Sequence, residues 1–106
     1  VTLRSPVKTA AALSRARARR PATLGLLRAL LRHPTVSAEA VHRADLRRCA
    51  ERLAARLRGM GLDAVTVRPG RVAPVVTAEW LHRPAAPLLL VYGHYDVQPA
   101  GPRDSW

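Results

Sequence analysis

The sequence predicts an α/β fold: two N-terminal helices, then three strands of a mixed sheet. Three observations predict it. Apolar residues recur at helical spacing in two stretches before Gly61. Beyond Gly61 the period becomes that of extended chain, in short runs separated by Pro and Gly. The last run, Leu88-Leu89-Leu90-Val91-Tyr92, is apolar at consecutive positions, the pattern of a strand covered on both faces.

Residues 1–22 stand apart. They carry Arg4, Lys8, Arg15, Arg17, Arg19 and Arg20 and no acid, and their Ala, Arg, Ser and Thr content resembles a transit peptide. They lack the apolar core of a secretory signal, so a basic, disordered tail is expected. Leu24, Leu27, Leu30 and Leu31 then mark a first helix over Thr23–His33. Thr23 is placed to cap it and Pro34 to stop it, because a residue before Pro is pushed out of the α region. Thr35-Val36-Ser37 reads as a connecting turn.

The second helix is expected from about Glu39 to Met60. Leu46, Cys49, Ala50, Leu53, Ala54, Leu57 and Met60 form one stripe, with arginines largely off it. Gly59 or Gly61 provides the C-terminal stop, and Arg56 and Arg58 suit the negative end of the helix dipole. Ala64–Arg68 reads as a strand, Pro69-Gly70-Arg71 as a turn and Val75–Trp80 as a second strand. Pro84-Ala85-Ala86-Pro87 breaks the chain before the third strand, Leu88–Tyr92. Two helices offer little cover for a strand that is apolar on both faces, which suggests further sequence beyond Trp106.

The 106 residues suffice for one small domain. Aromatics are 4% and Phe is absent, so the core must be built from Leu, Val and Ala. The formal charge is +11, and all basic residues but Lys8 are arginine. Such a charge points to nucleic acid or anionic surfaces. Neither a recognition motif nor stacking aromatics accompany it, so nucleic acid is not the expected partner. Arginine and alanine are abundant throughout, as in chains encoded by G+C-rich genes. Cys49 is the lone cysteine, which excludes an intrachain disulfide and a cysteine-based zinc knuckle. It suits a buried position in a reducing cytoplasm. No apolar run approaches the ~20 residues of a membrane span, so no membrane partner is expected.

The chemistry-bearing residues are His94 and Asp96, directly after the third strand. Functional groups collect beyond the carboxyl ends of buried strands, where side chains become accessible on a rigid backbone. A spacing of two puts both on one side of extended chain. A neutral imidazole is a good zinc ligand, and a nearby carboxylate can orient it and raise its basicity. His-X-Asp alone is more often a loop histidine and a turn aspartate. His33, His42 and His82 lie on different elements without ligand spacing, and surface or capping roles are expected for them. Glu79 is expected to face solvent, and Trp80 to anchor packing.

The longer pattern is more specific. Gly93-His94-Tyr95-Asp96-Val97-Gln98-Pro99, preceded by Leu-Leu-Leu-Val-Tyr, resembles the first metal-site motif of the M20 zinc metallopeptidases. Its Val-Gln-Pro ending looks most like the dipeptidase branch. Leu30–Ser37, with Pro34-Thr35-Val36-Ser37, is similar to the opening of that family, and His42–Leu46 with its helix, Gly61–Val65 and Pro74–Trp80 follow in the family's order. About 80 of the 106 residues are covered, from about Leu24 onward. Residues 23–106 are thereby identified as the N-terminal part of an M20-type catalytic domain.

The resemblance implies that His94 is a zinc ligand and that Asp96 is the catalytic residue beside it. In the complete family site two zinc ions about 3.5–4 Å apart share a bridging hydroxide, and a glutamate acts as general base. The implied reaction is hydrolysis of dipeptides or related amide bonds, with a peptide or amide small molecule as substrate. The bridging aspartate, the glutamate, the other ligands and the lid domain used for homodimerisation come later in the family's chain, past the position of Trp106. A fragment with one ligand is expected to be inactive alone. A second reading is a non-catalytic remnant, or an Arg-rich module for nucleic acid or other anions.

Overall fold

A computed structural model describes residues 6–102 and 104 of the chain. The order is α1 (Pro6–Ala18), α2 (Arg20–Leu31), one 3-10 turn (Ala40–His42), α3 (Arg43–Gly59), β1 (Asp63–Arg68) and β2 (Val75–Glu79). The chain divides into two compact units at Arg32/His33.

The first unit holds α1 and α2. The sequence reading expected a disordered tail over residues 1–22. Pro6–Ala18 is instead helical, and residues 1–5 lie outside the described part. Alanine, leucine and arginine are strong helix formers, so the segment winds without a partner face. It has no apolar stripe, which is why periodicity passed over it. α2 begins at Arg20, three residues before the expected start, with Pro at its first turn, where a missing N–H costs nothing. Thr23 is therefore inside the helix rather than its cap. Its Oγ1 donates back to the Arg19 carbonyl at 3.1 Å, a local bond of mid-helix threonines.

The second unit is a helix laid on a hairpin. Its core is Leu46, Cys49, Ala50 and Ala54, all on one face of α3 and each at most 1% exposed. These are four of the seven members of the stripe read from the sequence. Leu53 and Leu57 are half-buried, and Met60 is exposed. α3 starts later than expected, because residues 40–42 form a tighter 3-10 turn first. Its end is set by Gly61 at φ +82°. The Leu62 N–H donates to the Leu57 carbonyl at 3.2 Å and the Gly61 N–H to the Arg58 carbonyl at 2.9 Å, which together close a Schellman motif.

The chain then turns directly into β1. β1 and β2 are antiparallel, with Thr66 opposite Thr77 and Val67 opposite Val76. The two threonine hydroxyls bond across the pair at 2.8 Å. Ala64, at φ +47°, lies where the register shifts between Asp63 and Thr66, and a bulge accommodates it.

The expected third strand is not formed, and the expected mixed sheet is a two-stranded antiparallel one. Leu88–Tyr92 has no ladder among the described residues, and each side chain is at least 80% exposed. A run apolar on both faces needs a neighbour at its edge and cover above and below. Leu88–Tyr92 pairs with neither β1 nor β2, and nothing among the described residues covers its faces. A parallel contact lies further on, an isolated bridge between Val36 and Val97. No helix among the described residues is long and apolar enough to cross a membrane.

Candidate functional site

The Val36–Val97 bridge is where the site is built. Thr35-Val36-Ser37, expected only as a turn, runs alongside Tyr95-Asp96-Val97. The Val97 N–H donates to the Thr35 carbonyl at 3.0 Å. Thr35 Oγ1 donates to the Tyr95 carbonyl at 2.8 Å. Ser37 Oγ donates to Asp96 Oδ2 at 2.6 Å. Thr35 is 3% exposed, so its hydroxyl would cost free energy to bury without that partner. A third anchor comes from the hairpin: the Tyr95 hydroxyl donates to the Pro74 carbonyl at 2.6 Å. Burial pushes the Tyr95 phenol pKa up, and the adjacent Cys49 and Asp96 add to it.

His94 and Asp96 meet, as their spacing predicts. Asp96 Oδ1 lies 3.3 Å from His94 Nδ1. The Ser37 hydroxyl, and after it the His94 ring, hold the Asp96 carboxyl below its ordinary 3.8, against an opposing effect of burial. An ionised carboxylate only accepts hydrogen bonds. In the neutral ring, the Nδ1 contact therefore puts the proton on Nδ1 and leaves the Nε2 lone pair free of it. Tyr92, read from the sequence as a strand residue, has its hydroxyl 3.2 Å from Nε2, with the rings edge to face at 5.3 Å. In this tautomer Tyr92 donates to Nε2.

The remaining candidates stay apart from this pair. His33 Nε2 is 3.4 Å from Arg52 Nη1 at the surface. His42 lies between Glu39 at 3.5 Å and Asp45 at 3.3 Å, ahead of α3. His82 pairs with Asp63 at 2.7 Å. Trp80, expected as a packing anchor, is 55% exposed and lies against the His82 ring. Glu79 faces solvent as expected. Among the described residues no three His, Cys, Asp or Glu side chains gather where one metal ion could be held.

Thr35 and Ser37 are the residues that sequence reasoning missed. One signal was available: two hydroxyl residues spaced by two, which an extended segment presents on one side. The sequence reading gives them only a connecting turn and a place in the Pro34-Thr35-Val36-Ser37 motif.

Comparison with known proteins decides the family. The succinyl-diaminopimelate desuccinylase of Bordetella pertussis is 38% identical over 86 residues, which is 80% of this chain and 20% of that protein. That of Bordetella avium is 35% identical over the same length. That of Stenotrophomonas maltophilia K279a is 41% identical over 58 residues, 55% of this chain and 15% of that protein. This stretch belongs to the M20 peptidase family. The chain spans about a fifth of the length of the first of these M20 relatives. The relatives are hydrolases, and their shared name is that of an enzyme removing a succinyl group. No family profile and no solved structure matches the chain.

Proposed function

We propose that this chain carries one corner of a zinc-dependent amide-hydrolysing site, with His94 a metal ligand through Nε2 and Asp96 the group that orients it. The observation supporting this most is the line Ser37–Asp96–His94, at 2.6 and 3.3 Å. It leaves Nε2 as the ring nitrogen able to bind a cation, on a side chain that is 69% exposed. The donor set fits zinc in kind, since a neutral imidazole backed by a carboxylate is a common zinc ligand. It does not fit in number, because a catalytic zinc takes about three protein ligands. The other ligands of a two-zinc site would come from outside the described residues. Zinc, when bound, polarises an amide carbonyl and makes its water acidic. The part of Asp96 is to hold the imidazole proton on Nδ1, and that of Tyr92 is to give up its bond to Nε2.

The substrate class is an amide, and the names of the relatives favour an N-succinyl amide over the dipeptide suggested by Val97-Gln98-Pro99. A homodimer formed through a lid domain, as in the family, would likewise require sequence outside this chain. A cytoplasmic setting agrees with Cys49 being unpaired and buried. The alternative of an Arg-rich nucleic-acid module gains less, because residues 1–32 contain no aromatic side chain for base stacking.

A chimera tests the reading. This segment replaces its counterpart in the Bordetella pertussis relative, and the product is assayed with an N-succinyl amide and a panel of dipeptides. His94→Ala in that chimera is expected to lower kcat/KM by at least about 100-fold and to reduce bound zinc. Unchanged zinc content with activity within a few-fold would refute the role of His94. Turnover of dipeptides alone would move the substrate to the dipeptidase class.

A further inference from the structure

We infer that Ser37 is a positioning residue: its hydroxyl locks the Asp96 carboxylate so that Oδ1 faces His94 Nδ1, and so selects the tautomer that presents Nε2 to a metal. The inference rests on the reading of His94 as a metal ligand and adds a residue to it from a distant part of the chain.

Asp96 is only partly covered, with 32% of its side chain exposed, so packing alone does not hold its carboxylate in one rotamer. The Ser37 bond to Oδ2 is the shorter of its two side-chain contacts, 2.6 Å against 3.3 Å to His94. A short hydroxyl–carboxylate bond is of the strong, charge-assisted kind, and it fixes which oxygen remains for the ring. Ser37 is itself held, because two residues earlier Thr35 makes both a backbone and a side-chain bond to the strip Tyr95–Val97. The hydroxyl thus sits on a short parallel tie between segments 59 residues apart. Side chains spaced by two on extended chain share a side, which is why Thr35 and Ser37 act on the same strip.

Serine suits the position for a further reason. Ser37 lines an open cleft of about 410 Å³ together with Ala38, Ala40, Arg43, Val72 and Gln98. An added methyl has room there, so threonine should keep the bond and the shape. Valine, the same size as threonine without the hydroxyl, separates hydrogen bonding from packing.

The experiment reads the tautomer of His94 directly. Side-chain nitrogen shifts are recorded on the metal-free 106-residue chain in alkaline buffer, where imidazoles are neutral. Wild type and Ser37→Thr are expected to show His94 protonated mainly at Nδ1. Ser37→Ala and Ser37→Val are expected to lose that preference and show a mixture with the Nε2–H form. Hydrogen-exchange protection of the Val97 amide, which bonds to Thr35, shows whether each variant keeps the tie. Where Ser37→Ala loses it, the Ser37→Thr and Ser37→Val pair decides. An Nδ1–H preference that survives in Ser37→Val overturns the inference, as does its absence from the wild type. Zinc affinity of the chimera gives a second readout, expected to fall about 10–100-fold in Ser37→Val and to recover in Ser37→Thr. Failure of the tautomer test leaves the His94→Ala result standing, so the two claims fail separately.

Discussion

Two neighbouring segments of this chain, Leu88–Tyr92 and Tyr95–Val97, differ in the opposite sense from their composition. The first is five apolar residues in succession, and it is at least 80% exposed with no ladder among the described residues. The second is polar at its centre, yet it is tied to Thr35, Ser37 and Pro74 by four hydrogen bonds. Hydrophobicity supplies a driving force without a direction. Position comes from a partner of the right shape, or from directional bonds whose loss leaves buried groups unsatisfied. The candidate site is built on the second kind of segment.

The largest effect that can break this comparison is a pair of leucine truncations. Leu46 is 1% exposed and Leu90 is 88% exposed. Leu46→Ala should cost about 2–5 kcal/mol, a large share of what so small a unit possesses. Leu90→Ala should stay within about 0.5 kcal/mol, as substitutions at open surface do. Urea unfolding of both variants measures the difference. A cost above about 2 kcal/mol for Leu90→Ala would mean that Leu88–Tyr92 is packed in solution, and the contrast between the segments would disappear.

A smaller effect probes the tied segment itself. Thr35→Val keeps the side-chain shape and removes the bond to the Tyr95 carbonyl. Thr35 is buried, so the loss should cost about 1–3 kcal/mol, the penalty of an unsatisfied buried group. Urea midpoints and the protection of the Val97 amide report it. An unchanged midpoint would show that the backbone bridge alone holds the strip.

The same contrast explains what the sequence discloses. α3 and the hairpin were legible because their periods are local: one stripe from Leu46 to Ala54, then alternation after Gly61. The end of α3 was legible because only glycine takes the φ at position 61 without strain. His94 and Asp96 were legible through a contiguous motif. Thr35 and Ser37 were not, because their partners lie 60 and 59 residues away and a hydroxyl carries no mark of its acceptor. Leu88–Tyr92 was misread for a related reason. Its pattern states what surroundings it would suit, whereas a strand exists only where another strand bonds to it. α1 escaped notice because helix propensity without an apolar face leaves no period to find.

The smallest expected effect is an acid limb with two separable parts. Asp45, in the first turn of α3, is held below its ordinary 3.8 by its bond to His42 and then by Arg48, with burial opposing. Asp96 is held below 3.8 chiefly by Ser37. Each group binds its proton more weakly folded than unfolded. Its contribution to stability is therefore complete above 3.8 and is lost as pH falls through the lower folded value. The urea midpoint should hold steady down to about pH 5 and decline from there toward pH 2. Asp45→Asn should flatten part of that decline, and Ser37→Ala a different part, because the two carboxylates have no shared partner. If Ser37→Ala leaves the acid limb untouched, the hydroxyl does not hold the Asp96 carboxylate in solution. The strip Tyr95–Val97 would then owe its position to Thr35 and the Pro74 anchor alone.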